Sequence, residues 1–315
     1  MIPVIAVDFG GTNIRSAFFP ADDIQPTKQI KIDTKAEEGP ESVINRMVGA
    51  IEDVAPVQRE GLRIGIASPG PLDPFHGIIL KTPNLPGWDS IPLAEEISNR
   101  MHCPVVINND ANLAALGEWK YGAGRGLNDL IYLTISTGIG GGVISQGQML
   151  LGAHGLAGEL GHMKVVQDGP LCGCGRRGHL EAIASGISIA RIVRDRMKAG
   201  ETSILKEMIE NLEDLNTVDI GKAAEKGDPL AISAIENAGK AIGSHIASLV
   251  HAFNPDRIII GGGVSQLGDL LFTPIRKTLA EEIIHPAYLQ DLKVVHAELG
   301  DDAGLIGAMV LARQY

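Results

Sequence analysis

Two cysteines one residue apart, Cys172 and Cys174, lie in the stretch CGCGRRGHLE, which runs on to His179 and Glu181. That spacing is not the Cys-x-x-Cys of a redox pair. Zinc takes four ligands in a tetrahedron, and thiolate and imidazole both suit it. His162 precedes Cys172 by ten residues, within reach of a folded-back loop. The set His162, Cys172, Cys174 and His179 is the expected metal site, with a metal-free glycine turn as the alternative. Two neighbouring thiolates repel unless a cation lies between them, which favours the metal.

Three glycine-rich turns each follow a β-like run. The first, DFGGTN, carries Asp8, Gly10, Gly11, Thr12 and Asn13, with Arg15 just beyond; the second, STGIGGG, offers Thr137 and Gly138; the third contains Gly261, Gly262 and Gly263. Backbone N–H groups in such turns can cradle an anion. DFGGTN leads into another strand instead of a helix and lacks Gly-Lys-Ser/Thr, so it is neither a Rossmann nor a Walker loop. Any one of the three could be a plain turn. Together they suit a nucleotide held between two lobes, with two turns on the phosphates and the third under the nucleoside. Asp8, at a strand end, could hold Mg²⁺ through water or simply open the turn.

The segment NDAN places Asn109 and Asp110 at a strand-to-helix junction. Either can cap the helix. Asp110 is also the candidate general base for an attacking hydroxyl, and a helix N-terminus favours its ionised form.

These residues need a frame. Residues 3–9 and 14–19 read as strands joined by DFGGTN, and 63–70 and 104–109 as further strands. Val43, Ile44, Met47, Val48, Ile51 and Val54 recur at helical spacing, predicting a helix over about 41–55. Residues 71–91 read as an ordered loop, and 92–101 and 110–122 as helices. The run 130–145 repeats the strand, Thr/Gly turn, strand plan of 4–19. Such an echo points to a duplicated α/β fold with two facing lobes. Residues 150–186 read as irregular. Helices are expected at 186–199, 203–211, 217–226 and 229–253, strands at 257–264 and 293–298, and a last helix at 302–313.

The chain has 315 residues, 44% apolar and 21% charged, enough for two domains with large cores. A net charge of −11 disfavours a general nucleic-acid binder. Three cysteines, Cys103 included, cannot build a disulfide framework, so a reducing cytoplasm is expected. No membrane span or signal peptide is read.

In order, DFGGTNIR, NDAN, STGIGGG, GELGH, CGCGRRGHLE and IGGG resemble the motifs of the ROK family (repressors, open reading frames and kinases), over essentially the whole chain. The likeness is closest to its glucokinases; the extra N-terminal helix-turn-helix of ROK repressors is not seen ahead of the first strand. The resemblance implies an α/β, two-lobe actin-like (ribonuclease H-like) fold with a βββαβα-type core. The lobes would be 1–112, joined by the C-terminal helix 301–315, and 113–300. It implies MgATP in the cleft and phosphorylation of a hexose, glucose first, at its 6-hydroxyl, with Asp110 as base. Sugar contacts would come from Asn84, Asn109, Asp110, Glu159, His162 and Glu181. The family's GH histidine binds zinc through one ring nitrogen and sugar through the other, so the implied zinc is structural. His179 departs from the family, which has Cys at that place. Fructose, mannose or N-acetylmannosamine as acceptor, and a non-catalytic sugar sensor, are the competing readings; a polymerising ATPase would need no sugar pocket. Dimers or tetramers are expected from the family.

Overall fold

The computed structural model describes residues 2–82 and 85–315. In chain order the elements are β1 (Val4–Phe9), β2 (Asn13–Phe19), β3 (Lys28–Asp33), α1 (Pro40–Val54), β4 (Arg63–Ser68), β5 (Leu72–Asp73), β6 (Ile78–Ile79), α2 (Leu93–Met101), β7 (Val105–Asn109) and α3 (Asp110–Tyr121). Then come β8 (Leu130–Ile135), β9 (Ile139–Ser145), β10 (Gln148–Met149), α4 (Glu181–Ala184), α5 (Gly186–Lys198), α6 (Leu205–Met208), α7 (Thr217–Glu225), α8 (Pro229–Phe253), β11 (Arg257–Gly261), α9 (Asp269–Glu282), β12 (Lys293–His296) and α10 (Ala303–Gln314).

Two five-stranded sheets follow one plan: β3-β2-β1-β4-β7 and β10-β9-β8-β11-β12. In the first, β1 pairs antiparallel with β2 and parallel with β4, in register Val4↔Phe19 and Val4↔Arg63. The echo between 4–19 and 130–145 is thus a repeated sheet order. Strand β3 has no apolar run to announce it, because KQIKID is a largely exposed edge strand. Lysines on such an edge discourage pairing with other chains. The expected loop 71–91 contains the small β5–β6 hairpin.

The chain divides into two compact units: Met1–Gly126 with Gly142–Gly158 and Glu298–Tyr315, and Leu127–Gly141 with Glu159–Ala297. The expected boundary at 112 falls inside α3. The structure keeps that helix whole in the first unit because α3 packs along α10.

Successive β residues face opposite ways, so the first sheet has two cores. Ile5, Val7 and Phe9 pack with Met47, Ile51 and Ile97 of α1 and α2. Val4 and Ala6 pack on the other face with Leu113 and Leu116 of α3 and Leu305 and Met309 of α10. Each large side chain buried there contributes roughly 1.5–3 kcal/mol. That second layer is unusually thin. A Cβ on Gly65 of β4 would overlap the Ala308 carbonyl, and one on Gly307 would overlap the Leu113 carbonyl. At the far end of α3 the fully buried Glu118 carboxylate accepts N–H groups of Ala123 (2.8 Å), Glu298 (3.2 Å) and Leu299 (2.7 Å). It thereby fixes where the chain enters α10.

In the second unit, Asp228 caps the 25-residue α8, with Pro229 in its first turn. Both are standard helix-start devices. His245 lies buried on this helix, and burial alone lowers its pKa to about 4.

Two outcomes are expected. Glu118→Gln keeps one acceptor oxygen but turns an N–H₂ toward backbone N–H groups, so it should destabilise by about 2–3 kcal/mol. Thermal unfolding checks this, and an unchanged melting temperature would mean the three N–H groups find other acceptors. His245 is neutral in both states above its unfolded pKa near 6.5; below it, only the unfolded chain gains the proton. Stability present at neutral pH is therefore lost as pH falls from about 6.5 toward about 4, by roughly 3 kcal/mol. His245→Leu should unfold less steeply in acid than the parent, which melting curves across that range would read.

Candidate functional site

In the first unit the β1–β2 turn is tied shut by its own backbone: Gly10 N–H donates to Asn13 O at 2.9 Å. Thr34, just past β3 and buried, braces it from outside, its hydroxyl on Gly10 O (2.6 Å) and its N–H on Thr12 O (2.8 Å). Sequence reasoning missed Thr34, since nothing near it in the chain marks it. Gly11 and Thr12 stay exposed at the tip. Asp8 and Arg15 face each other across the hairpin, and Arg15 Nε and Nη2 both donate to Asp8 Oδ2, at 3.1 and 2.7 Å. Arg15 also bonds Asp302 Oδ1 (3.0 Å) and the Asp301 carbonyl, so α10's entry meets the hairpin here.

At the β7–α3 junction the capping duty falls to Asn109. Its Oδ1 accepts from Ala111 N (2.9 Å) and Asn112 N (3.3 Å). Asn108 Oδ1 accepts the Asn109 N–H (2.7 Å) and lies 3.4 Å from Asn112 Nδ2, bracing the cap from below. Asp110 opens the helix as an exposed side chain, with Oδ1 2.7 Å from Ala111 N. Asn84 lies outside the described residues, though Leu85 and Trp88 after it are buried, Trp88 5.1 Å from the Phe9 ring.

In the second unit Ser136 N–H closes on Gly138 O (2.9 Å), leaving Ser136 and Thr137 exposed at the tip. The first N–H of α5, from Gly186, donates to Ser136 O (2.7 Å). The third turn is held by Gly262, with φ +84°, and by Ser265 Oγ on its carbonyl (2.7 Å). A cavity of about 240 Å³ joins the two turns through Thr137, Gly263 and Val264, and is walled by Ile187, Leu215 and Thr217. The last three were not read from sequence, because their segments are far from both turns in the chain.

The cysteine stretch folds as the spacing suggested. Cys172 N–H donates to Arg176 O (2.8 Å) and Gly175 N–H to Cys172 O (2.9 Å), a tight knuckle. His162 comes alongside on the short 3₁₀ turn Leu160–His162. Ligand atoms of His162, Cys172, Cys174 and His179 lie within 4.8 Å of one another. Cys172 Sγ is 3.7 Å from His162 Nδ1, and Cys174 Sγ 3.2 Å from His179 Nδ1. Tetrahedral zinc with bonds of about 2.0–2.3 Å holds its ligand atoms roughly 3.3–3.8 Å apart, so the four residues fit the ion. His162 keeps Nε2 for other work, 4.0 Å from Glu159 Oε2. Burial first, then the Cys174 thiol and Glu181, push the Cys172 thiol up to about 12, while burial and the neighbouring His162 lower His179. Among the described residues no helix is long and apolar enough to cross a membrane.

Residues 4–315 match the sequence pattern of the ROK family. A glucokinase of Thermotoga maritima is 37% identical over 99% of this chain and 98% of its own length. A ROK family glucokinase from Streptomyces griseus, solved in complex with glucose and AMPPNP, shares the fold with a TM-score of 0.84 at 34% identity, covering 99% of this chain and 100% of that one. A ROK family transcriptional regulator, a homolog of the E. coli MLC protein, gives a TM-score of 0.86 at 30% identity, over 99% of this chain and 78% of that one. The architecture is the α/β actin-like one that the family resemblance implied. Matched along nearly its whole length in sequence and in structure, the chain belongs to the ROK family.

Proposed function

We propose that the chain is a sugar kinase transferring the γ-phosphoryl group of MgATP to the 6-hydroxyl of a hexose, with glucose favoured. The observation that carries this is near-complete coverage, in both directions, with glucokinases, one of them solved with glucose and AMPPNP. The local chemistry agrees. Because Asn109 does the capping, Asp110 is exposed and can orient an acceptor hydroxyl. The hydroxyl oxygen forms a bond to the γ-phosphorus, the bond to the β–γ bridging oxygen breaks, and ADP leaves. Asp110 takes the hydroxyl proton, late in a loose transition state.

The turns Gly10–Asn13 and Thr137–Gly138, with Arg15, would hold phosphates, and the cavity beside Gly261–Gly263 the nucleoside. Arg15 binds Asp8 through Oδ2, leaving Oδ1 for a Mg²⁺-bound water. Mg²⁺ would neutralise charge on the transferring phosphates. Asn84, Asn109, Glu159, His162 and Glu181 would bind sugar hydroxyls, each of which donates and accepts. A zinc ion would take His162 Nδ1, Cys172, Cys174 and His179, fixing the tautomer and ring angle of His162 so that Nε2 faces the sugar.

MgATP turnover against a panel of hexoses tests the reading. Glucose should turn over fastest. Asp110→Asn should cut kcat by at least about a hundredfold while leaving glucose affinity nearly unchanged. Loss of both together would count against the base assignment, and no turnover with any sugar would move the chain to the sensor class. The purified protein should also hold one zinc per chain. Because zinc must displace the Cys172 proton, its affinity should fall as pH falls, and calorimetry in buffers of different ionisation enthalpy should register proton release. A metal-free protein that neither takes up zinc nor releases protons would return the knuckle to a glycine turn.

A further inference from the structure

Glu181 has more to do than meet a sugar. Its carboxylate is divided between two parts of the second unit. Oε2 accepts the Ile139 N–H at 3.0 Å, at the foot of the second glycine turn. Oε1 lies 3.3 Å from Cys172 Sγ, which donates to it. The approach to the turn is close: a Cβ on Gly138 would come 2.5 Å from Oε2, so a side chain there would press on the carboxylate and push it off Ile139. The Glu181 carbonyl in turn accepts Ser188 Oγ at 2.7 Å, joining it to the start of α5. That helix start holds the other side of the same turn, through Gly186 N–H on Ser136 O at 2.7 Å. Thr137 and Gly138 are thus suspended between two anchors, and Glu181 belongs to both.

We infer that Glu181 is a positioning residue for the phosphate donor, fastening the second glycine turn to the cysteine knuckle. This rests on the kinase reading, in which that turn holds phosphates. An amide-to-carboxylate bond is stronger than a neutral one, and this one is half-buried. It fixes the direction in which the Thr137–Gly138 backbone presents its N–H groups. A metal at the knuckle would take the Cys172 thiolate as a ligand, its proton passing to solvent, so that the S–H no longer donates to Oε1. Oε1 would then be available to a sugar hydroxyl while Oε2 stays on Ile139. One carboxylate would then serve acceptor and donor together, and each would tighten the other, since such coupling is reciprocal.

The test uses full-length protein with its metal, and variants Glu181→Ala and Glu181→Gln. AMPPNP affinity is measured by calorimetry with and without glucose, and amide exchange is followed over residues 136–142. In the parent, glucose should tighten AMPPNP about fivefold or more. Glu181→Ala should abolish that coupling, weaken AMPPNP without glucose by a similar factor, and speed exchange at Ile139. Glu181→Gln retains an oxygen for the Ile139 N–H and should restore the protection and most of the AMPPNP affinity. Stripping the metal with a chelator should also speed exchange in this segment. If Glu181→Ala weakens glucose alone, with AMPPNP affinity and exchange unchanged, the inference is overturned and Glu181 is a sugar ligand only. If the parent binds no AMPPNP, it is the kinase reading that fails; exchange at Ile139 still decides whether Glu181 holds the turn.

Discussion

Where α10 crosses β4 and α3, backbone meets backbone. The carbonyls of Ala308 and Leu113 occupy the space that side chains on Gly65 and Gly307 would need. Much of the chemistry of the first unit depends on that contact. It sets the depth of α3, and hence the place of Asp110 at its start. It also sets where Asp301 and Asp302 emerge to meet Arg15, which in turn holds Asp8. Glu118 secures the arrangement from the opposite end of α3, spending a buried carboxylate on three backbone N–H groups. An uncompensated carboxylate there would be costly, so entry of the C-terminal segment is effectively imposed on the chain.

The second unit solves its positioning problem differently. Its candidate site residues sit mostly on turns and short helical pieces. Polar bonds between neighbouring turns do the fixing: Gly186 on Ser136, Ser265 on Gly262, Cys172 on Arg176. A network of this kind is accurate only while every member is in place. A metal held by His162, Cys172, Cys174 and His179 would suit this unit, since four coordinate bonds can organise a loop.

How much of this could be read from the chain depended on the range of the interaction. The apolar helices and central strands were legible because their periodicities are local, as in α1 and β1. The glycine turns and the Cys172–His179 knuckle were legible because their residue types are unusual and close together. Strand β3 was not, because an exposed edge strand of Lys, Gln and Asp has the composition of a loop. Thr34, Ile187, Leu215 and Thr217 were hidden for another reason. Each is an ordinary residue whose relevance comes from a partner far away in sequence. The division at 112 missed the α3–α10 contact, which spans nearly two hundred residues of chain and leaves no local mark. Asn84, which the family resemblance implied as a sugar contact, lies outside the described residues, while Trp88 after it is buried against Phe9 at the end of β1.

The two sheets share a strand order, and each opens with a hairpin that carries a glycine-rich tip. The supports behind the tips differ. The first is propped by Thr34, a neutral hydroxyl just past the adjoining edge strand. The second leans on Glu181, a charged group from the start of α4, outside its own sheet. Equal frames therefore carry unequal fastenings. A disturbance at the cysteine knuckle reaches the second turn through Glu181, while the first turn, fastened within its own unit, has no such lever.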